Sequence, residues 1–452
     1  MHEQGAAMRI TQLVLEKVAC FDRLCIDFKE GNDPKKADIH LIVGANGTGK
    51  STVLMALAQF FTLHRLTGLD RRFVSEDGFA ALKTDNCIYA FSPSKNQKSV
   101  NIDGISLRSR KSVSPRLIFF TASSDHKDLI EYSDRCYQDA SETRFQNQLF
   151  SFAAFGYSGF RSTSEFTLSA IQEQNENPLA NALLFSNPSA SQELIQWIAN
   201  TKAKEAFARN RGDIEKAEQR KEAVVRIERI ISDIIEQRFA FVLNEDPLGV
   251  LVEVDGQALD MELLPDGLKS ILSWVADLLM RLDRIPWEND VPVLERPFLL
   301  FLDEIEVHLH PAWQRKILPA VQELFPNAQV FVSTHSPFVI ASADDAWIYP
   351  LVRKGPFSTM REPIPSMKGN SYATILREAL GIDASFSTQV ESLFGQFYQL
   401  RDEALHGDKA ALSKMNTLQE ELAAYGEEVN AVVVPEIRQT LKRLEAKQDK
   451  AQ

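Results

Sequence analysis

The sequence predicts an α/β fold, a mixed sheet with flanking helices, carrying an inserted helical lobe and a C-terminal helical module. Three observations predict it. The apolar run Ile39-His40-Leu41-Ile42-Val43 leads into the glycine-rich turn Gly44 to Gly49 and then into a helix from about Lys50 to Phe61. A second apolar run, Phe298 to Leu302, ends in the adjacent carboxylates Asp303 and Glu304. A third, Val330 to Val332, ends in Ser333-Thr334-His335. Short continuous apolar runs read as strands buried on both faces, and open α/β sheets hold ligands at the carboxyl ends of such strands. The first two runs lie toward opposite ends of the chain, so one head has to be assembled from both.

The other elements follow in order. Ile10 to Leu15 and Leu24 to Phe28 alternate apolar and polar residues, a strand–turn–strand opening. Between 62 and 150 only Cys87 to Phe91 and Arg116 to Thr121 read as strands, among Ser/Asp/Lys-rich loops. From about 166 to 238 the pattern is helical, with Val224, Ile227, Ile231 and Ile234 at three- and four-residue steps. Strands at Phe239 to Leu243 and Val250 to Val254 precede a turn at Asp255-Gly256, a further helix and a loop near Pro286 and Pro292. From about 385 the tail is helical, and Val390, Leu393, Phe394, Phe397 and Leu400 share one face, which could dock a partner or pack on its own domain. The expected division is a first head lobe over 1–165, a helical insertion over 166–245, a second head lobe over 246–384 and a helical interaction module over 385–452. No internal repeat is visible.

Composition bounds the function classes. The chain has 452 residues, 44% apolar and 25% charged, which excludes a disordered chain or a collagen-like fibre. A formal charge of −12 argues against a surface coated in basic residues for continuous nucleic-acid contact, though not against a local groove. The four cysteines are scattered without a C-x-x-C pair, as expected of reduced thiols. No secretory signal and no membrane-length apolar segment are seen, so the expectation is a cytoplasmic protein with no membrane partner.

Gly44-Ala45-Asn46-Gly47-Thr48-Gly49-Lys50-Ser51 is a full G-x-x-x-x-G-K-[ST], placed between a strand and a helix as a phosphate-binding loop requires. Glycines let the backbone curl around a phosphate so that successive N–H groups point inward at the start of a helix. Asn46, Gly47, Thr48, Gly49, Lys50, Ser51 and Thr52 are the candidate contacts to ATP, with Lys50 reaching the β/γ-phosphates and Ser51 ligating Mg²⁺. Asp303 is the expected second Mg²⁺ ligand. Glu304 is placed to orient or deprotonate the attacking water, and His335 to contact the γ-phosphate or that water. Leu264-Pro265-Asp266-Gly267-Leu268-Lys269-Ser270 opens an amphipathic helix whose Gly267 and Ser270 suit phosphate contact. Each piece also has a plainer reading: a turn with a chance lysine, two solvated acids, a structural histidine, an N-capped helix.

Together the four pieces resemble the ATP-binding-cassette ATPases of the SMC/RecF/OLD type. That resemblance implies an ATPase head, and a head-to-tail dimer in which ATP on one P-loop is covered by the other copy's signature. Leu264, Gly267, Lys269 and Ser270 fit the signature, whereas Pro265, Asp266 and Leu268 depart from it. Asp303, Glu304 and His335 match the Walker B aspartate, catalytic glutamate and switch histidine. Glu306-Val307-His308-Leu309-His310-Pro311, Phe155 to Arg161 and Ser371 to Asp383 resemble elements of the OLD-like branch. His308 and His310 also admit a metal-binding reading. Neither a Toprim metal site nor a G-x-S-x-G elbow is seen, since Phe160 stands where the last glycine belongs.

A Toprim-less ATPase of this kind resembles the PtuA family of the Septu antiphage systems. The implied partners are a second copy of the chain, as a dimer or higher homo-oligomer, and an HNH-type nuclease subunit. Two rival readings stay open: a RecF-like DNA repair ATPase, and a non-hydrolysing scaffold glued by ATP. DNA is an open partner too, because Arg108, Arg110, Lys111 and Arg116, and Lys202, Lys204, Arg209 and Arg211, form basic clusters.

Overall fold

The computed structural model describes residues 8–448 except 64–66, 86, 95–97, 103, 115–116, 123–127, 138–148, 160–170, 172–176, 186–189, 247, 367–368, 370, 383–385 and 407. It divides into two compact units, Met1–Leu380 and Gly381–Gln452.

The strands of the first unit begin with β1 (Ile10–Val18), β2 (Phe21–Asp27), β3 (Asp38–Gly44), β4 (Phe79–Thr84), β5 (Ile88–Ser92), β6 (Ser99–Ile102), β7 (Ile105–Ser114), β8 (Leu117–Thr121) and β9 (Ala153–Tyr157). They continue with β10 (Phe239–Glu245), β11 (Leu248–Val254), β12 (Gln257–Asp260), β13 (Phe298–Leu302), β14 (Ala328–Thr334), β15 (Trp347–Lys354), β16 (Phe357–Met360) and β17 (Ile364–Pro365). One sheet has the order β16-β15-β3-β14-β13-β9, with β17 beside β15. From β15 to β9 its neighbours are all parallel, and β16 and β17 pair antiparallel at the edge. Every residue of β3, β13 and β14 is buried, as parallel strands covered on both faces must be. A second, antiparallel sheet has the order β2-β1-β4-β5-β8-β7-β6, and β10-β11-β12 form a small third one.

The helix Lys50–Gln59 is buried nearly all round, including Val53, Leu54, Ala56 and Leu57. A helix apolar on every side belongs between two layers. Phe60, just past its end, lies 4.7 Å from Phe91 of the antiparallel sheet, and Phe61 lies 6.1 Å from Phe301 of the parallel one. The far end of this helix is thereby held against both sheets at once.

The inserted helical stretch is two helices, Ala190–Asn210 and Ile214–Ile235. The apolar period of Val224, Ile227, Ile231 and Ile234 belongs to the second helix, where all four are buried. What ends the first helix is Gly212 at φ 76°, followed by Asp213, whose carboxylate caps Lys216 N at 3.3 Å. β4, β6, β7 and β12 are strands that the sequence pattern did not single out; in β4 small residues, Ala80 and Ala81, supply part of the buried surface.

The second unit consists of the helices Thr388–Leu405, Lys409–Ala423 and Glu427–Gln448. Val390, Phe394 and Phe397 are buried there with Met415, Leu422 and Val433, and Leu393 and Leu400 pack against them. The apolar face considered for docking is occupied by this unit's own core. Among the described residues no helix is long and apolar enough to cross a membrane.

Candidate nucleotide-binding site

The glycine-rich loop Gly44 to Gly49 leaves β3 at its carboxyl end. A Cβ on Gly44 would lie 2.4 Å from the Leu351 carbonyl oxygen, and one on Gly49 would lie 2.4 Å from the Phe21 ring. Both glycines also have positive φ, at 151° and 97°, so backbone shape and lack of space demand the same residue. The loop is pressed between β15 and the β1–β2 hairpin. Gly49 caps the following helix with no side-chain hydrogen bond, which leaves the helix's first N–H groups to an incoming anion. Lys50, 5% exposed, folds back so that Nζ donates to Gly44 O at 2.9 Å and Ala45 O at 3.2 Å. Burial lowers its pKa, against the raising pull of Glu304, Glu306 and Asp303.

Sheet order supplies the rest. β14 lies between β3 and β13, so the carboxyl ends of all three strands meet. Ser51 Oγ donates to Asp303 Oδ1 at 3.0 Å, and Ser333 Oγ donates to that same oxygen. Ser333 Oγ in turn accepts from Glu304 N at 2.9 Å, and Asp303 N donates to Tyr157 O at 2.8 Å. Ser51 and Asp303 therefore sit together as hard oxygen donors, a fit for Mg²⁺. Bound there, the ion would neutralise phosphate charge. Glu304 takes a left-handed φ of 49°, uncommon for a residue with a Cβ, and the serine hydroxyl and Tyr157 carbonyl hold its own amide and that of the residue before it.

His335 follows β14. Its Nδ1 lies 3.0 Å from Glu306 Oε1, and its backbone N–H donates to the same oxygen at 2.8 Å. A carboxylate only accepts, so Nδ1 carries the proton and Nε2 faces outward. His335 is about half exposed at its side chain (49%), while Glu306 is buried (6%). The geometry brings together Lys50, Ser51, Asp303, Glu304 and His335. It treats the signature residues differently: Gly267 packs against His308 O and Trp313, and Ser270 Oγ donates to Val307 O at 3.3 Å. Those are contacts made within one chain.

His308 and His310 are exposed, and His310 Nδ1 accepts from Ala312 N at 3.3 Å as the cap of the helix Pro311–Leu324. Among the described residues no group of three or more His, Cys, Asp or Glu is gathered as a metal site. Phe160, Arg161, Arg116 and Asp383 lie outside the described residues, as do the side chains of Arg110 and Lys111.

A sequence profile described as "AAA domain, putative AbiEii toxin, Type IV TA system" matches residues 39–341, a span that holds every site residue above. The chain belongs to this family. It is similar to the Retron Ec83 probable ATPase of Escherichia coli, at 23% identity over 78% of this chain and 73% of that one. It is similar as well to the Septu protein PtuA of Bacillus thuringiensis, at 25% identity over 37% of this chain and 43% of that one. Among solved structures, an SMC head bound to the C-winged helix domain of ScpA superposes with a TM-score of 0.42 and 16% identity, over 79% of this chain and 98% of that one.

Three residues of this AAA-type site were not singled out from the sequence. Arg72 Nη1 donates to Thr52 Oγ1 at 2.5 Å, and Arg353 Nη1 donates to Gly47 O at 3.3 Å, each from a distant segment. The third is Glu306, which fixes both the backbone and the tautomer of His335. Glu306→Gln keeps the shape and weakens that grip. Turnover is expected to fall about tenfold or more with ATP KM little changed, following the usual size of tautomer and general-base effects. Steady-state kinetics read it directly, and unchanged kcat would show that His335 needs no such anchor.

Proposed function

We propose that this chain binds and hydrolyses ATP, dimerises head-to-tail around it, and governs a partner nuclease in antiphage defence, in the manner that its resemblance to the Septu ATPases implies. The observation that carries the reading is the convergence of Lys50, Ser51, Asp303, Glu304 and His335 at one edge of one parallel sheet. In chemical terms Lys50 and the loop amides hold the phosphates. Glu304 takes the proton of the attacking water and His335 steadies the γ-phosphate. Gly267 and Ser270 reach nucleotide only on the opposing copy. Cutting of nucleic acid belongs to an HNH-type subunit, and the chain acts in the cytoplasm.

The basic cluster on the insertion gives little support to a DNA-acting RecF-like reading. Lys202 lies 3.7 Å from Glu228, and Arg209 lies 3.0 Å from Glu205 and 3.2 Å from Glu218. Cations already paired with carboxylates release few counterions from a phosphate backbone.

The test is made on purified chain with Mg²⁺. The expected outcome is ATP hydrolysis, an ATP-dependent doubling of mass by mass photometry, and intact plasmid DNA until the partner subunit is added. Plasmid cleavage by the chain alone would remove the partner from the proposal, and a mass independent of ATP would remove the nucleotide-bridged dimer.

A further inference from the structure

One group of buried charges that the nucleotide site does not use is linked by a continuous run of hydrogen bonds. Arg281 is 2% exposed and Asp277 1% exposed, both on the helix Asp277–Arg284. Arg281 Nε donates to Asp277 Oδ2 at 2.7 Å. Its Nη2 donates to Glu193 Oε2 at 3.0 Å, on the inserted helix Ala190–Asn210. Its Nη1 donates to Pro178 O at 2.6 Å and Ala180 O at 3.2 Å. Burial acts to lower the Arg281 pKa, but the Asp277 and Glu193 carboxylates outweigh it and keep the guanidinium charged. Asp277 Oδ2 also accepts from Tyr157 Oη at 2.8 Å, while Asp277 Oδ1 is buried with no hydrogen-bond partner among the described residues. Burial and the neighbouring Asp277 carboxylate raise the Tyr157 pKa, so the phenol stays a donor.

Tyr157 is also where this group meets the catalytic edge. It ends β9, and its carbonyl holds the amide of Asp303. Two residues on, Gly159 lies so close to Glu304 that a Cβ there would be 2.7 Å from Glu304 Cβ and 3.0 Å from Glu304 O. The left-handed turn at Glu304 is thus packed directly against the segment that Tyr157 anchors. The same helical stretch runs from the signature residues at Asp266 through a π-helical segment, Leu272–Ala276, into Asp277. π-Helical segments within α-helices are frequent at functional sites.

We propose that Tyr157 is a positioning residue for Glu304, and that the chain Glu193–Arg281–Asp277–Tyr157 makes the placement of Glu304 depend on how the inserted helix Ala190–Asn210 is seated. A partner bound on the insertion would then raise or lower hydrolysis without touching nucleotide. Buried, paired charges suit this task because they have few alternative arrangements: a shift of Glu193 must be followed by Arg281 or leave a charge unpaired. This rests on the ATP-hydrolysing reading above.

Removing Asp277 or Arg281 outright would strand a buried charge, so conservative variants are the right probes. Tyr157→Phe deletes one hydroxyl, and Glu193→Gln keeps shape while removing charge. Each is expected to lower kcat roughly tenfold, the scale of coupling through such networks. ATP KM should stay within about twofold, as for a group that acts on the transition state only. The double variant should be no slower than the slower single one. Hydrogen exchange of the Asp303 to Ile305 amides, which needs no turnover, should speed up in both variants. Unchanged exchange with wild-type kcat, or effects that multiply in the double variant, would overturn the proposal. A wild-type chain that hydrolyses no ATP would overturn the ATPase reading instead, and exchange alone would then decide whether Tyr157 and Glu193 hold the Glu304 backbone.

Discussion

Glu304→Gln is expected to abolish hydrolysis, lowering kcat by about 100-fold or more, the lower range for loss of a general base, while ATP remains bound. The substitution is nearly isosteric, so the hydrogen bond from the residue 304 amide to Ser333 Oγ and the packing of Gly159 on its Cβ are kept. On the proposed mechanism, what is lost is the proton acceptor for the attacking water and one negative charge near the phosphates. Removal of the charge acts in favour of nucleotide, because Glu304, Asp303 and Glu306 all act on Lys50 and together make an acidic surround. ATP affinity should therefore be equal to or tighter than that of the wild type. With the chemical step blocked, the ATP-bound state persists and the nucleotide-bridged dimer accumulates. Single-turnover hydrolysis and mass photometry on the same sample check both halves. Turnover at the wild-type rate would exclude Glu304 from the mechanism, and a monomer saturated with ATP would separate binding from assembly.

Why some parts of this site could be read from the chain and others not follows from how far apart the interacting residues lie. Gly44 to Ser51 is a local pattern, and its turn, its glycine φ values and its helix are set by neighbouring residues. β3 and β13 announce themselves as unbroken apolar runs because both faces are covered. The insertion of β14 between them is not a local property, and neither is the sharing of one Asp303 oxygen by Ser51 and Ser333. Glu306 looked like an ordinary residue of a loop motif, and its hold on His335, 29 positions away, exists only once β13 and β14 are paired. Arg72 and Arg353 carry no signal beyond being arginines, and each reaches the loop from a different wall. The apolar period at Val224, Ile227, Ile231 and Ile234 is local and reports the second of the two helices, whereas the break at Gly212 and Asp213 lies outside that period. The Phe and Val residues of the tail showed their shared face correctly, but periodicity cannot say what covers a face, and here two further helices of the same unit do.

The second large effect concerns Lys50. In Lys50→Ala, ATP affinity is expected to fall about 100-fold, corresponding to the loss of roughly 3 kcal/mol from contacts between an ammonium group and phosphate oxygens. Burial disfavours the charged lysine and lowers its pKa, and the loop carbonyls of Gly44 and Ala45 hold it by hydrogen bonds. Phosphate oxygens are better partners for that ammonium than neutral carbonyls, so nucleotide binding gains from exchanging one for the other. Alanine removes the gain and leaves Glu304, Glu306 and Asp303 facing the phosphates without a nearby counter-charge. The fold should tolerate the change, because the hydrogen bonds lost are those to two carbonyl acceptors and the nearby carboxylates act on Lys50 only through space, a cost of about 1 kcal/mol. Lys50→Arg is expected to restore little, since the side chain is 5% exposed and a planar guanidinium is larger than the ammonium the loop encloses. Equilibrium binding of a fluorescent ATP analogue, measured beside thermal melting, separates the two contributions. A normal dissociation constant in Lys50→Ala would sink the assignment of Gly44 to Ser51 as the phosphate cradle. A collapse in melting temperature that matches the affinity loss would make Lys50 a structural residue of the loop rather than a ligand for nucleotide.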